Sequence, residues 1–277
     1  MIDPLSLVRG VNSLLGSMVP GASAVIAERL FTSPRRHPVP DREFPAERAG
    51  QRLTLGDGLS ALRWGRGPRI LVMHGWEGRA TQWGPFAELA IAGGFEVIAV
   101  DAPGHGRSDG HRSHPGEFVR ALLEADRRHG PFTAVIGHSM GGAAAAIAVA
   151  SGLRADRLVL IASPSSLARV LRRFAAHIRL SAAAERGFFD RMELRVGRPA
   201  EDLDVSALVL GCAALVIHSR DDREVPFADG EAIRLGWPHA ELLAVDGLGH
   251  RRILRDSGVL EAALGFCVDA EQLAKAG

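Results

Sequence analysis

The sequence predicts an α/β fold, with an eight-stranded, mostly parallel sheet, helices on both faces and one helical lid insertion. Three observations predict it: a turn signal at Gly56-Asp57-Gly58, apolar runs that alternate with helical segments, and one long interval without a strand. Of the 277 residues, 47% are hydrophobic and 23% are charged, which is typical of a globular chain. The net charge of +1 gives no electrostatic reason to expect a nucleic-acid partner.

The N-terminal segment, residues 1–40, is predicted to be a helix and a linker that dock on the main domain. Apolar residues recur at helical spacing through residues 1–30, at Leu7, Val11, Leu14, Leu15 and Met18. Prolines interrupt residues 33–40, which are therefore not expected to form regular structure. Two other roles stay open for the helix: an interaction module, and a membrane-surface helix, which its Ser- and Asn-rich polar face disfavours.

Eight strands are predicted from residue 50 onward. The first two flank the turn signal, and six apolar runs then alternate with helices, as in a parallel sheet that is covered on both faces. The predicted strands are Gln51–Leu55, Leu59–Trp64, Arg69–Met73, Phe95–Val100, Thr133–Ile136, Arg157–Ala162, Ala214–His218 and Glu241–Val245. The predicted helices lie near residues 81–92, 116–129, 141–152, 226–236 and 251–268.

The alternation breaks in residues 164–212, where the sequence is rich in Ala, Leu and Arg. A helical insertion here predicts a lid over the carboxyl ends of the strands, where open α/β sheets bind ligands. The core is accordingly predicted at residues 50–163 and 213–277. The eight arginines between residues 165 and 198 are interpreted as the solvated face of amphipathic helices, with an anionic-substrate site as the alternative.

The strongest local signal is Gly137-His138-Ser139-Met140-Gly141-Gly142, between a predicted buried strand and an alanine-rich helix. A strand–turn–helix context lifts a serine hydroxyl clear of the sheet, and glycines two positions to either side leave room for the turn. Serine becomes a nucleophile when an adjacent base accepts its proton. Ser139 is therefore predicted as the nucleophile, with His138 beside it in the substrate pocket.

Candidate partners for Ser139 follow the last two predicted strands, at the same edge of the sheet as the serine. His250 is the only one of the 11 histidines that follows the final strand in a glycine-flanked loop, Gly247-Leu248-Gly249-His250. Asp221 and Asp222 both follow the preceding strand and compete as the acid that orients the histidine. His250 is thus predicted as the base, with one of the two aspartates as its partner.

An oxyanion formed by attack of the serine needs N–H donors. The backbone N–H of Met140 directly follows the nucleophile and lies at a helix N-terminus, whose partial positive charge suits an anion. The second donor is expected in the loop after Arg69–Met73, which reads His74-Gly75-Trp76-Glu77-Gly78, and is assigned to the N–H of Trp76. The Trp76 ring is expected to form one wall of the acyl pocket.

Five motifs occur in an order that resembles the α/β-hydrolase superfamily, over roughly residues 50–268. They are His74-Gly75-Trp76, Asp101-Ala102-Pro103-Gly104-His105-Gly106-Arg107-Ser108, the Ser139 elbow, Asp222-x-x-Val-Pro and Gly249-His250. The resemblance selects Asp222 over Asp221, because Asp-x-x-Val-Pro recurs in these hydrolases. It implies the α/β-hydrolase fold, a Ser139–Asp222–His250 triad, and a structural role for the loop with Asp101 and His105.

The triad and the resemblance predict a serine hydrolase that cleaves carboxylic esters through an acyl-enzyme intermediate. A serine nucleophile disfavours haloalkane dehalogenases and epoxide hydrolases, and the sequence lacks the His-Gly-Gly-Gly and His-Gly-Gly-Pro-Gly patterns of lipase-like enzymes and proline iminopeptidases. A thioesterase, a carbon–carbon bond hydrolase or a perhydrolase would use the same triad. A non-catalytic ligand-binding protein is the alternative from another class, and the intact triad disfavours it.

No cofactor and no metal is predicted. His105, His111 and His114 are close in sequence, but an exposed glycine-rich loop explains them better than a metal site. The two cysteines form no Cys-x-x-Cys pair, and the absence of tyrosine excludes a catalytic phenol. The expected partner is a small ester-type molecule, without nucleic acid or a membrane span, and a homodimer is allowed. An N-terminus without the basic residues of a secretory signal favours a cytoplasmic location.

Overall fold

An eight-stranded sheet forms the centre of the computed structural model, which describes residues 9–10, 12 and 18–268. The expected α/β architecture, mostly parallel with helices on both faces, is confirmed. The strands are β1 Gln51–Thr54, β2 Ser60–Gly65, β3 Arg69–Met73, β4 Glu96–Val100, β5 Phe132–His138, β6 Ala155–Ile161, β7 Ala213–Ser219 and β8 Glu241–Val245.

The strands are ordered β1-β2-β4-β3-β5-β6-β7-β8, and within the described residues the antiparallel pairs are β1–β2 and β2–β4. The turn between β1 and β2 has positive φ angles at Gly56, Asp57 and Gly58. Glycine, at the first and third of these positions, adopts such angles without steric cost. Because β3 lies between β4 and β5, the chain passes from β3 to β4 on one side of it and later to β5 on its other side. Open α/β sheets bind ligands at such a switch point, outside the carboxyl ends of the strands.

Helices cover both faces of the sheet. They are α1 Pro20–Phe31, α2 Phe44–Ala49, α3 Gly84–Ala92, α4 Pro115–His129, α5 Met140–Ala150, α6 Leu167–His177, α7 Ala182–Val196, α8 Phe227–Gly236, α9 Gly249–Arg252 and α10 Ser257–Cys267. One face buries α4, α5 and α8 around Phe118, and the other buries α3 and α10 around Phe86. Each core removes apolar helix stripes and apolar strands from water together, which is the main stabilisation of a layered α/β domain.

A third hydrophobic cluster lies between α1 and the two insertion helices, α6 and α7. Its members Phe31, Leu171 and Phe188 are buried, and the rings of Phe31 and Phe188 pack edge to face with centroids 5.8 Å apart. Gly187 allows α1 to approach α7 closely, since a Cβ at this position would lie 3.2 Å from the Cβ of Ala24. The N-terminal helix and the insertion therefore stabilise each other.

The helix expected across residues 1–30 is not continuous. Met18 and Val19 lie in a turn, and α1 begins at Pro20, because proline lacks the N–H that a helix interior needs and fits the first turn. The Asn12 side-chain amide donates to the carbonyl oxygen of Ile178, directly after α6. The expected apolar positions Leu7, Val11, Leu14 and Leu15 lie outside the described residues.

The single helix expected across residues 251–268 was also wrong. The short helix α9 is followed by a 3-10 turn over Ile253–Arg255, and α10 starts only at Ser257. Asp256 explains the break, because its carboxylate accepts the N–H of Val259 at 3.0 Å as an N-cap of a new helix. The break gives His250 a short helical turn of its own, directly after β8.

Candidate active site

Ser139 lies in a sharp turn between β5 and α5. Its φ and ψ angles are 53° and −123°, a combination that L-residues rarely adopt. The flanking glycines make the turn possible. A Cβ on Gly137 would lie 2.3 Å from the carbonyl oxygen of Gly141, and a Cβ on Gly141 would lie 2.3 Å from that of His74. The turn therefore presents the Ser139 hydroxyl at the carboxyl end of the sheet.

Ser139, His250 and Asp222 form a continuous hydrogen-bonded chain. The Ser139 hydroxyl is 3.0 Å from Nε2 of His250, and Nδ1 of His250 is 2.8 Å from Oδ2 of Asp222. The three residues follow β5, β8 and β7, so the sheet itself brings them together. Because the carboxylate accepts Nδ1–H, Nε2 offers its lone pair to the hydroxyl, as a general base must.

Asp222 is oriented by backbone groups as well as by His250. Its Oδ1 accepts the N–H groups of Glu224 at 2.8 Å and Val225 at 2.9 Å. Burial raises the pKa of the Asp222 carboxyl, but the hydrogen bonds from His250 and the two N–H groups outweigh burial and hold the pKa below its ordinary value. Asp222 is therefore a carboxylate at neutral pH and stabilises a positive charge on His250.

Asp221, the competing candidate, has other partners. Its Oδ1 accepts the Ser219 hydroxyl at 2.5 Å and lies 3.3 Å from the N–H of Gly249. Asp221 is thus a loop carboxylate that ties the loop after β7 to the loop after β8. The geometry leaves Nδ1 of His250 to Asp222.

His218 supports the same loop, although the sequence analysis did not single it out. The ring is fully buried, and Nε2 donates to the carbonyl oxygen of Val225 at 3.0 Å. The same nitrogen is 3.6 Å from Oδ2 of Asp222. No sequence signal marks this role, because a histidine inside an apolar strand reads only as a core residue until its loop partner is known.

His138 directly precedes Ser139 in the chain, and its ring holds the loop that carries His250. Its Nε2 donates to the carbonyl oxygen of His250 at 2.9 Å, and the two ring centroids are 4.8 Å apart. Burial, together with the neighbouring His250, lowers the pKa of His138 to about 3. The ring is therefore neutral and does not oppose a charged His250 during a reaction.

The loop of residues 74–79, named the oxyanion loop after the donor that the sequence predicts in it, packs directly on the turn at Ser139. Nδ1 of His74 donates to the carbonyl oxygen of Gly75 at 2.7 Å, and Nε2 accepts the N–H of Ala102 at 3.0 Å. A Cβ on Gly75 would lie 2.9 Å from the Cβ of Ser139, so only glycine fits. The N–H of Gly78 closes the turn by donating to Gly75 at 3.0 Å.

Two backbone N–H groups lie next to these contacts. Met140 follows Ser139 and opens α5, and the first N–H groups of a helix have no acceptor within it. Trp76 follows Gly75, and its N–H donates to no protein acceptor within residues 18–268. The N–H of Met140 therefore directly follows Ser139 in the chain, and the N–H of Trp76 directly follows Gly75, which packs on Ser139.

The Trp76 ring contacts both α1 and α4. It stacks on Phe31 with centroids 5.9 Å apart and on Phe118 with centroids 6.1 Å apart, at interplanar angles of 19° and 21°. His105 packs edge to face against it at 5.1 Å. Phe31 is a partner that the sequence analysis missed, because 45 residues of chain separate it from Trp76.

A cleft of about 560 Å³ opens at Ser139. Trp76 and His138, the two residues expected in the substrate pocket, line it. Its walls come from residues 37–46, 75–88, 138–139, 224 and 250–255. Among the described residues, none of the insertion lines this cleft, and His37 of the N-terminal segment lies there together with residues 42–46.

Several arginines of the insertion bond to the protein itself. Arg191 and Arg195 pair with Glu28 of α1, and Arg173 pairs with the buried Asp229 at 2.9 Å. These arginines attach the insertion to its neighbours. In this geometry Arg173, Arg191 and Arg195 are engaged by carboxylates of the protein.

The loop from Asp101 to Ser108 supports the oxyanion loop from behind. The Asp101 carboxylate accepts the N–H groups of Ala80 at 2.7 Å and Arg107 at 3.0 Å. Burial lowers the pKa of His105 to about 4, so this ring is neutral and serves as a packing partner of Trp76. Within residues 18–268 no group of three or more His, Cys, Asp or Glu is arranged to hold a metal ion. In the same part of the chain, no helix has the length and apolar character to cross a membrane.

Comparison with known proteins gives one match at the level of a family model. A model of the alpha/beta hydrolase family matches residues 70–263. Pimeloyl-[acyl-carrier protein] methyl ester esterase of Xanthomonas campestris pv. campestris is 27% identical over 244 residues, which cover 72% of this chain and 94% of that protein.

A second relative and one solved structure extend the comparison. The 2-hydroxy-6-oxononadienedioate/2-hydroxy-6-oxononatrienedioate hydrolase 1 of Dechloromonas aromatica is 27% identical over 235 residues, 65% of this chain and 80% of that protein. The structure of a bromoperoxidase from Bacillus anthracis superposes with a TM-score of 0.61 at 17% identity, covering 79% of this chain and all of that one. At that identity the likeness concerns the fold.

Proposed function

Because this chain belongs to the alpha/beta hydrolase family, we propose that it is a serine hydrolase that cleaves carboxylic esters through an acyl-enzyme intermediate. The observation that carries the proposal is the hydrogen-bonded chain from Ser139 through His250 to Asp222, with distances of 3.0 and 2.8 Å. A relative similar over nearly its whole length is named a methyl ester esterase, which supports an ester as the substrate.

Acylation begins when Nε2 of His250 takes the Ser139 proton and Oγ attacks the acyl carbon. Asp222 stabilises the imidazolium that results. The N–H groups of Trp76 and Met140 donate to the oxyanion of the tetrahedral intermediate, at the start of a helix whose dipole favours negative charge. The intermediate collapses as His250 returns the proton to the leaving alcohol oxygen, and the acyl group stays on Ser139.

Deacylation repeats these steps with water. His250 takes a proton from a water molecule, whose oxygen attacks the acyl carbon of the ester on Ser139. Collapse of the second tetrahedral intermediate releases the carboxylic acid, and the proton on His250 returns to Oγ. No cofactor takes part in this proposed sequence, since proton transfer and oxyanion stabilisation complete both halves.

The test compares wild type and Ser139→Ala on p-nitrophenyl esters from acetyl to dodecanoyl. We expect the wild type to hydrolyse short or medium chains and Ser139→Ala to lower kcat by about 10³-fold or more. A fluorophosphonate should label the wild type at Ser139 and leave the variant unlabelled. Equal hydrolysis by both proteins, or no Ser139 adduct, would exclude this mechanism.

A carbon–carbon bond hydrolase is the second candidate, favoured by the similarity to the Dechloromonas aromatica hydrolase over 80% of that protein. The same triad would serve, with a vinylogous diketone in place of the ester. Turnover of such a diketone at a higher kcat/KM than any p-nitrophenyl ester would select this candidate.

A further inference from the structure

The N-terminal arm, residues 20–40, lies outside the segment that matches the family model and yet contacts the oxyanion loop. It contacts Trp76, which carries the proposed oxyanion donor, and the next residue, Glu77. Phe31 of the arm stacks on the ring of Trp76 at 5.9 Å, and two further arm residues bind the side chain of Glu77. The arm therefore contacts the donor residue and the residue that follows it.

Glu77 has a backbone conformation that needs an external restraint. Its φ angle is 57°, in the left-handed region that a residue with a side chain adopts only when its surroundings impose it. The residue is neither glycine nor asparagine, which tolerate this region best. The hydrogen bond from Gly78 to Gly75 closes the turn around Glu77, and partners of the Glu77 side chain add a second restraint on this conformation and on the adjoining peptide of Trp76.

Arg35 and His37 supply that restraint. Oε1 of Glu77 accepts the backbone N–H of Arg35 at 3.1 Å and its Nε–H at 3.0 Å, and Oε2 lies 3.2 Å from Nε2 of His37. The Glu77 side chain is only 19% exposed. Burial raises the pKa of its carboxyl, but the hydrogen bonds from Arg35 and His37 outweigh burial, so the group is charged at neutral pH.

The contact is reciprocal, because the oxyanion loop also binds the arm. The Arg79 guanidinium donates to the carbonyl oxygens of His37 at 2.8 Å and Pro38 at 2.9 Å. The arm is also anchored elsewhere, since Arg36 donates to the carbonyl oxygens of Gly104 at 3.1 Å and Gly110 at 2.9 Å. Prolines limit the freedom of this segment. The arm is thus a fixed support for the oxyanion loop.

We propose that the N-terminal arm completes the oxyanion hole: Arg35 and His37, through the carboxylate of Glu77, are positioning residues that hold the N–H of Trp76 toward the oxyanion. The inference rests on the proposed serine-hydrolase function. None of the three side chains is assigned contact with the reacting atoms. Their effect is to keep a donor preorganised, which matters most in the transition state, where the negative charge develops.

The test uses the full chain with Glu77→Gln, Arg35→Gln and the double variant. We expect each single change to lower kcat about tenfold and to leave KM within about twofold, because the lost interaction operates in the transition state. The double variant should be no slower than the slower single variant, since both changes remove one contact. Arg35 is 70% exposed, so Arg35→Gln is informative even where Glu77→Gln folds poorly.

A transition-state analogue separates positioning from a general structural role. A trifluoromethyl ketone should bind Glu77→Gln more weakly by the factor by which kcat/KM falls, whereas the product carboxylate should bind unchanged. Arg172→Gln is the matched control, because Arg172 forms an exposed ion pair with Glu201 on the insertion, and all constants should stay at wild-type values.

The outcomes distinguish this inference from the proposed function. A wild type without hydrolysis on any ester, and without a Ser139 adduct, would refute the function. An active wild type would refute the inference alone if both single variants keep their kcat, if their effects multiply in the double variant, or if analogue and product affinities fall together.

Discussion

Asp221 and Asp222 carry the same side chain in adjacent positions, and their hydrogen bonds separate their roles. Asp222 receives three donors: Oδ2 accepts from His250, and Oδ1 accepts the N–H groups of Glu224 and Val225, which orient the carboxylate so that Oδ2 faces the histidine. Asp221 accepts from Ser219 and from the Gly249 backbone at the rim of the same loop. The Val-Pro that follows the motif matters because Val225 supplies one of the N–H groups that orient Asp222.

We expect Asp222→Asn to lower kcat about 10³- to 10⁴-fold, because an amide in this place stabilises neither the required tautomer nor the charge of His250. Asp221→Asn should lower kcat by less than about threefold, since it loosens one loop contact and leaves the acid in place. Steady-state kinetics on one p-nitrophenyl ester measures both. A larger loss in Asp221→Asn would exchange the two assignments.

At the residue scale, local motifs made the contact of Ser139 with His250 predictable, whereas the residues that support the site gave no such signal. Ser139 and His250 each lie in a glycine-flanked segment after a strand, and such a pattern is visible in the chain itself. The partners of Glu77 were not predictable, because Arg35 and His37 are about 40 residues away in a linker that carries no regular pattern. Contacts of this kind follow from tertiary packing alone.

Among the elements, α1 shows how a charged group can fasten a helix. Glu28 is 3% exposed and accepts hydrogen bonds from Arg191 at 2.5 Å and Arg195 at 2.8 Å, both on α7. Burial raises the pKa of Glu28, but the bonds from Arg195 and Arg191 outweigh it, and the pKa lies below its ordinary value. The two ion pairs orient α1 relative to α7 at an interface that is otherwise apolar.

We expect Glu28→Gln to lower the unfolding free energy at pH 7 by about 1–2 kcal/mol, a modest value because both arginines are a third or more exposed. Since folding depresses this pKa, the stabilisation is present above about pH 4.5 and is lost as pH falls through the folded-state pKa. Thermal unfolding at several pH values measures the difference. Asp190→Asn, an exposed change on α7, is the control, and a gap between wild type and Glu28→Gln that does not narrow as pH falls below about 4.5 would contradict this account.

The boundaries of elements were less predictable than their existence. All eight strands were expected within a few residues of their observed positions, because two flank a turn signal and the other six are apolar runs. The C-terminal helix was expected as one piece, since its apolar spacing continues across Asp256. The N–H of Val259 donates to Asp256, which starts a new helix there. A local polar contact, and not the apolar spacing, therefore sets the helix boundary.

For the whole molecule, the mostly parallel sheet and the site at the carboxyl ends of its strands follow from the alternation of strands and helices, which the sequence displays directly. The position of the insertion does not follow from it. Residues 164–212 were expected over the site, yet in the described structure they pack against α1 and leave the cleft walls to other segments, including residues 37–46. The position of the insertion helices α6 and α7 relative to the site depends on a third helix that packs on them, α1.

This arrangement predicts which arginines influence the choice of substrate. Arg255 lines the cleft, whereas Arg186 is exposed on the insertion helix α7. We expect Arg255→Gln to lower kcat/KM for monomethyl glutarate relative to dimethyl glutarate about two- to threefold, since one exposed cation acts weakly across water. The effect should shrink in 0.5 M salt, because screening shortens the range of exposed charges to a few ångströms. Arg186→Gln should leave the ratio unchanged, and an equal effect there would place the insertion beside the substrate.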